Sequence, residues 1–164
     1  VDIGRSAARI LIPHLRFLTN DAWPVVRGIA DNNGFPILLM NQYSNGKLYV
    51  LTIPDNFTDL YLLPDATLNA IRSYVLGDFP VRVEGPAKVS IFAYDNGAFV
   101  VESFRDEPAS VTVLASKASS LKDLVSGETL AGVARKPRHP AEPAATAFTL
   151  TLAPHSYRVF QSGP

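Results

Sequence analysis

At 164 residues, 47% hydrophobic and 18% charged, the chain has a globular rather than a disordered composition and the length of one ordinary domain or two small ones. Fifteen basic residues balance fifteen acidic ones, so the formal net charge is zero and nothing in it favours a polyanionic partner, which argues against nucleic acid. Cysteine is absent, excluding a disulfide framework and a thiolate zinc site, and no window holds the roughly 20 apolar residues that span a bilayer.

From the N-terminus, VDIGRSAARILIPHLRF shows no basic stretch leading into an uninterrupted apolar run, so no signal peptide is read there. Starting without Met, the chain reads as an excised segment, whose targeting signal would lie upstream and whose compartment stays open. Ala8 to Leu18 reads as extended, with Pro13 confining it to an edge or a bend, and Trp23 to Ala30 as a short helix entered at Pro24. FPILLMNQY, Ser44-Asn45-Gly46 and KLYVLTIP then form two β-prone runs around a turn, with positive φ expected at Gly46. Ile37 to Met40 and Leu48 to Ile53 are nearly continuously apolar, the pattern of strands covered on both faces. A helix from Asp65 to Leu76 follows, entered at Pro64 and stopped at Gly77, with Leu68, Ile71, Val75 and Leu76 on one face.

After Phe79-Pro80 the hydrophobic period changes to two. Val81 and Val83, then Val89, Ile91 and Ala93, alternate with Arg82, Glu84 and Ser90, and Asp95-Asn96-Gly97 turns the chain into AFVVESF, with positive φ expected at Gly97. Short β runs recur at Val111–Leu114, Leu121–Leu124, Phe148–Leu152 and Tyr157–Phe160, separated by Glu107-Pro108, Ser126-Gly127 and Ala153-Pro154. Many short strands with Gly and Pro punctuation predict an antiparallel sandwich. Ala131 to Ala147 has no period and reads as a mobile surface loop whose Arg135, Lys136, Arg138 and His139 are solvated. The sequence thus predicts an α+β chain: an α/β-type hairpin and helix portion over 1–79, followed by an antiparallel β-sandwich-like domain over 80–164.

Glycoside cleavage needs two carboxyl groups facing each other across a cleft. The best local pair is Asp55 and Asp59 in PDNFTDLYLLP, beside Phe57 and Tyr61. Two readings stand: Asp55 and Asn56 cap and turn the chain while Asp59 starts a helical turn, or the loop is a shallow ligand site. Asn20, Asp21 and Trp23, with Tyr43, offer the mix of amide, carboxylate and aromatic ring that sugars use, although a lone Trp beside Pro24 also serves as a packing anchor. His14, His139 and His155 show no metal-ligand spacing, and neither a phosphate-cradling loop nor a Gly-x-Ser-x-Gly elbow is present. Catalytic residues, metal and cofactors are therefore all read as none.

The succession NNGFPILLMNQYSNGKLYVLTIPDNFTDLYLLP resembles the end of the amidotransferase-like α/β domain that follows the catalytic barrel in bacterial β-galactosidase-like proteins of glycoside hydrolase family forty-two. GAFVVESFRDEPASVTVLA, LKDLVSGETLAG and FTLTLAPHSYRVF resemble the small antiparallel domain that closes such enzymes. There an Asp-Leu-x-x-Gly-Glu hairpin precedes a last strand ending at an apolar residue, positions held here by Asp123, Leu124, Gly127, Glu128 and Phe160. In that family the catalytic carboxylates lie on the barrel, so the resemblance implies a non-catalytic, accessory C-terminal module. It further implies contact with a parent catalytic domain or a sister subunit, for which Phe57 and Tyr61 are the interface candidates. A carbohydrate-binding module built on Asn20, Asp21, Trp23 and Tyr43, and a small hydrolase domain using Asp55 and Asp59, are the alternatives.

Overall fold

The structure, a computed structural model, describes residues 10, 12, 13, 15, 21–30, 33–77, 79–140 and 142–163. The expected extension over Ala8 to Leu18, together with Asn20 and His14, falls largely outside the described residues. Two compact units are present, Val1–Ile71 and Arg72–Pro164. Among the described residues no helix is long and apolar enough to cross a membrane.

In the first unit, β1 (Ala22–Ala30), β2 (Asn33–Tyr43) and β3 (Gly46–Leu51) form an antiparallel sheet in that order. The helix expected over Trp23 to Ala30 is thus a strand. Pro24 is tolerated because β1 is an edge strand and its ladder is irregular between Pro24 and Val26, where a missing N–H leaves fewest bonds unmade. Central β2 buries Ile37, Leu38 and Leu39, consecutive residues that point to opposite faces, as a strand covered on both sides does. β3 differs from that expectation, since Gly46, Lys47, Leu48 and Val50 are exposed. The β2–β3 turn holds two residues, Ser44 and Asn45, because Tyr43 pairs with Gly46. Gly46 is therefore a strand residue, and the positive φ expected of it falls on Ser44 at 51°, the first central position of a II′-type hairpin turn.

A 3-10 turn over Phe57–Leu62 leads into α1 (Asp65–Val75). The Pro64 carbonyl accepts the N–H groups of Thr67 and Leu68, opening the helix where a residue without an N–H loses nothing. Thr67, Ile71 and Ser73 are buried while Val75 is exposed, so the buried stripe is rotated from the purely apolar one expected.

The second unit adds β4 (Val81–Glu84), β5 (Val89–Ala93), β6 (Ala98–Ser103), β7 (Ala109–Ala115), β8 (Ser120–Asp123), β9 (Thr129–Ala131), β10 (Val133–Arg135), β11 (Ala145–Leu152) and β12 (Tyr157–Gly163). They make a four-stranded sheet, β10-β11-β7-β4, and a five-stranded sheet, β5-β6-β12-β8-β9, antiparallel throughout. Alternation sends Val81, Val83, Val111, Val113, Phe148 and Leu150 from one sheet against Val89, Phe99, Val101, Leu121 and Phe160 from the other, giving one apolar core. Phe99 and Phe160 pack at its centre with ring centroids 5.5 Å apart. Each such ring, removed from water, contributes about 2–3 kcal/mol. Turn chemistry closes the hairpins: Asn96 Oδ1 accepts the Ala98 N–H and Gly97 adopts φ 79°, as expected.

Candidate functional site

The first unit separates the residues proposed for sugar contact. Trp23 pairs with Met40, which pairs with Tyr49, so these three share one face of the sheet. Tyr43, three residues beyond Met40, points to the opposite face, since side chains alternate. Trp23 is 48% exposed and Tyr43 62%; Asp21 is exposed beside Trp23, and Asn20 lies outside the described residues.

Around the 3-10 turn the capping geometry is explicit. Asn56 Oδ1 accepts from the Thr58 N–H and hydroxyl, and Asn56 Nδ2 donates to Asp59 Oδ1 at 3.1 Å. Asn56 is the N-cap, and its side-chain amide also holds Asp59 three residues on. Asp55 is exposed at the bend before the cap. Phe57 and Tyr61 meet edge to face at 6.5 Å, and both remain about half exposed.

In the second unit, the segment expected to be a mobile loop contains strand residues and paired charges. It contains β10, and beyond it Glu142 is buried, with Oε1 accepting from Arg82 at 3.3 Å and Oε2 from the Arg138 N–H at 2.7 Å. Arg135 and Arg138 both pair with Glu84, the former at 2.6 Å. Arg82 points away from the sandwich core, as its alternation with Val81 and Val83 requires, yet it is buried. Its cross-strand neighbour Leu114 is buried too. Glu142, which pairs with Arg82 on that face, accounts for this. Burial raises the Glu142 carboxyl, but the Arg138 N–H and the guanidinium groups of Arg138, Arg82 and Arg135 outweigh it and hold the group below its ordinary value. His139 stacks on Tyr74 at 4.1 Å and shares a hydrogen bond with the Ser73 hydroxyl at 3.0 Å.

A second knot encloses the Asp-Leu-x-x-Gly-Glu hairpin. Asp123, 3% exposed, accepts from the Val125 and Ser126 N–H groups through Oδ1 and from Arg158 Nε through Oδ2 at 2.7 Å. Arg158 also donates to Glu128 at 2.8 Å and lies over the Phe160 ring. Gly127, at φ 77°, lets the chain return so that the Asp123 N–H meets the Glu128 carbonyl. Burial raises the Asp123 carboxyl, yet its three donors hold it below its ordinary value.

These clusters do the opposite of what acid catalysis asks. A glycosidase acid needs a raised carboxyl, whereas Glu142, Asp123 and Asp106, which hydrogen-bonds His155, are all lowered. Among the described residues no group of His, Asp or Glu could hold a metal ion. What the clusters do is fasten a turn and a covering segment to two sheets.

Residues 80–162, just over half of the chain, match the family described as probable glycosyl hydrolase, C-terminal domain. The chain belongs to this family. Comparison with curated proteins and with solved structures returned no match. The matched residues coincide with the sandwich of this glycosyl hydrolase C-terminal domain, from β4 to β12, and contain both ion-pair clusters. Sequence reasoning missed Arg82, Glu84 and Glu142 because alternation marks Arg82 and Glu84 as outward and nothing local marks outward residues as covered. Their only signal was the pair of arginines at 135 and 138, balanced by Glu84 about 50 residues earlier and by Glu142 four residues after Arg138.

Proposed function

We propose that this chain is a non-catalytic accessory module working beside the catalytic domain of a glycoside hydrolase-like protein. The observation that carries this is the family match over residues 80–162, which is to a C-terminal rather than a catalytic domain. The lowered carboxyls of the sandwich and the engagement of Asp59 in a cap support it, since neither leaves an acid poised to protonate a leaving group. Within the proposal, the parent resembles the bacterial β-galactosidase-like proteins of family forty-two, and the partner is its catalytic domain or a sister subunit. Phe57 and Tyr61, rings without a buried neighbour in their own turn, are the candidate contacts.

The half-exposed Trp23, in one row with Met40 and Tyr49, favours a second reading as a carbohydrate-binding module. Incubating the full chain with chromogenic glycosides from acid to neutral pH tests the leading proposal. No turnover is expected. Turnover abolished by Asp55→Asn or Asp59→Asn would replace it with a small hydrolase domain acting through that pair.

A further inference from the structure

The outward face of the five-stranded sheet carries a set of side chains that neither the core nor the ion-pair clusters use. In β6, Phe99, Val101 and Ser103 turn inward, leaving Val100 and Glu102 outward. Glu102 pairs with Ser90 on β5 and with Tyr157 on β12, so those three make one row across the face. Phe92, paired with Val100, stands in the next row. Phe104 prolongs β6 by one residue, its N–H donating to the Lys88 carbonyl at 2.9 Å, and alternation turns its ring outward as well. Phe92 and Phe104 are each 47% exposed and Tyr157 62%. Pair geometry sets Tyr157 about 5 Å from Glu102 and Phe92 about 7–8 Å from it. Strand spacing sets Phe92 about 12 Å from Tyr157.

We propose that this face binds a carbohydrate chain, with Phe92, Phe104 and Tyr157 as stacking platforms around the Glu102 carboxylate. The choice of ligand turns on Glu102. No ion pair with a described residue holds it. A protein surface laid over the three rings would bury an unpaired carboxylate, which is why interface cores are depleted of charge. A pyranose resolves the conflict, because its C–H face stacks on a ring while its hydroxyls donate to the carboxylate. Backbone strain at the rim accords with a shaped surface. Lys88 at φ 61° and His155 at φ 45°, both non-glycine residues in the left-handed region, stand two positions before Ser90 and Tyr157. The inference rests on reading the chain as accessory to a glycoside hydrolase, and it adds a ligand class and a site on a different sheet from Trp23.

Affinity electrophoresis of the full chain, in native gels cast with xyloglucan, galactomannan, β-1,4-galactan or mixed-linkage glucan, tests it. Retardation in at least one gel is expected. Phe92→Ala and Tyr157→Ala should each weaken it about tenfold or more, as loss of an anchoring aromatic does. Glu102→Leu, which keeps the face apolar but removes the hydroxyl acceptor, should weaken it too. Thermal midpoints should hold because the rings are exposed, and Phe104→Ala, outside the ladder, serves if Phe92→Ala unfolds the chain. Absence of retardation in every gel overturns the proposal, as does retardation that survives the Phe92 and Tyr157 variants and vanishes with Trp23→Ala. So does a Glu102→Leu chain that self-associates more strongly while no glycan binds, the behaviour of a protein-docking face. Each of these leaves the accessory role standing, which only turnover of a glycoside by the chain itself would remove.

Discussion

At Asp123 one buried carboxylate joins two parts of the chain: the β8–β9 turn through Val125 and Ser126, and the last strand through Arg158. Asp123→Asn keeps the volume but turns an amide hydrogen toward one of those donors and leaves the Arg158 guanidinium facing a neutral group. Breaking a buried pair from one side costs about 3–5 kcal/mol, and because Arg158 is partly exposed we expect the lower end, about 3 kcal/mol, by urea denaturation. The same group sets an acid limit. Its carboxyl is held below 3.8 in the folded chain, so its contribution is complete above 3.8, where the unfolded chain also ionises, and is lost as pH falls through the folded value. Glu142 acts alike from its ordinary value of 4.5 downward. The urea midpoint should therefore hold from pH 7 to about 5, then fall steadily below about 4.5. The Asp123→Asn curve should start lower and fall less; parallel curves would mean that Asp123 is not the group being titrated.

Turns at the scale of single elements are where glycine matters most. Gly97→Val forces a β-branched residue to φ 79° and should cost about 1–3 kcal/mol. Gly132, between β9 and β10, is needed for a different reason: a Cβ there would meet Thr146 Cγ2 and lie 2.6 Å from Phe148 Cε1, a buried ring that cannot retreat. Gly132→Ala should cost about 1–3 kcal/mol through overpacking, whereas Gly127→Ala, in open space, should cost only its φ strain. Thermal denaturation of the three variants separates close approach from backbone conformation. These contrasts also mark what the sequence could and could not reveal. The strands β5, β6, β7, β11 and β12 were legible because alternation and turn residues act locally, and Asn96-Gly97 announces its own φ. The β2–β3 turn was legible as a turn but not in its register, since Ser44-Asn45-Gly46 allows the two-residue loop to start at either of two positions. Trp23 to Ala30 was misread because a strand with a bulge after Pro24 resembles a helix entered at proline until its partner β2 is known. Within the candidate sites, the Asp-Leu-x-x-Gly-Glu hairpin at Asp123 was visible as a motif, while Arg82 with Glu142, 60 residues apart, depended on a covering segment that no local pattern encodes.

For the whole molecule, fifteen positive charges against fifteen negative leave no long-range repulsion near pH 7, where the sequence pI also lies, so short-range apolar contact decides whether two copies adhere. Phe57, Tyr61 and Leu62 supply that contact on one 3-10 turn, each about half exposed, and none of the turn's residues is buried. The rings touch each other edge to face, which fixes their geometry without withdrawing them from water. If this turn is what a parent catalytic domain or sister subunit covers, the isolated chain should self-associate through it at high concentration. Association should be strongest near the sequence pI of about 7.0 and should weaken toward pH 5, where the copies carry a net positive charge and repel. Sedimentation velocity across that range checks the trend, with Phe57→Ser and Tyr61→Ser combined as the control. The double variant should be monomeric at every pH with an unchanged circular dichroism spectrum. A wild type that stays monomeric at pH 7, beside a double variant that unfolds, would make the two rings part of the local core and remove the turn as a contact surface.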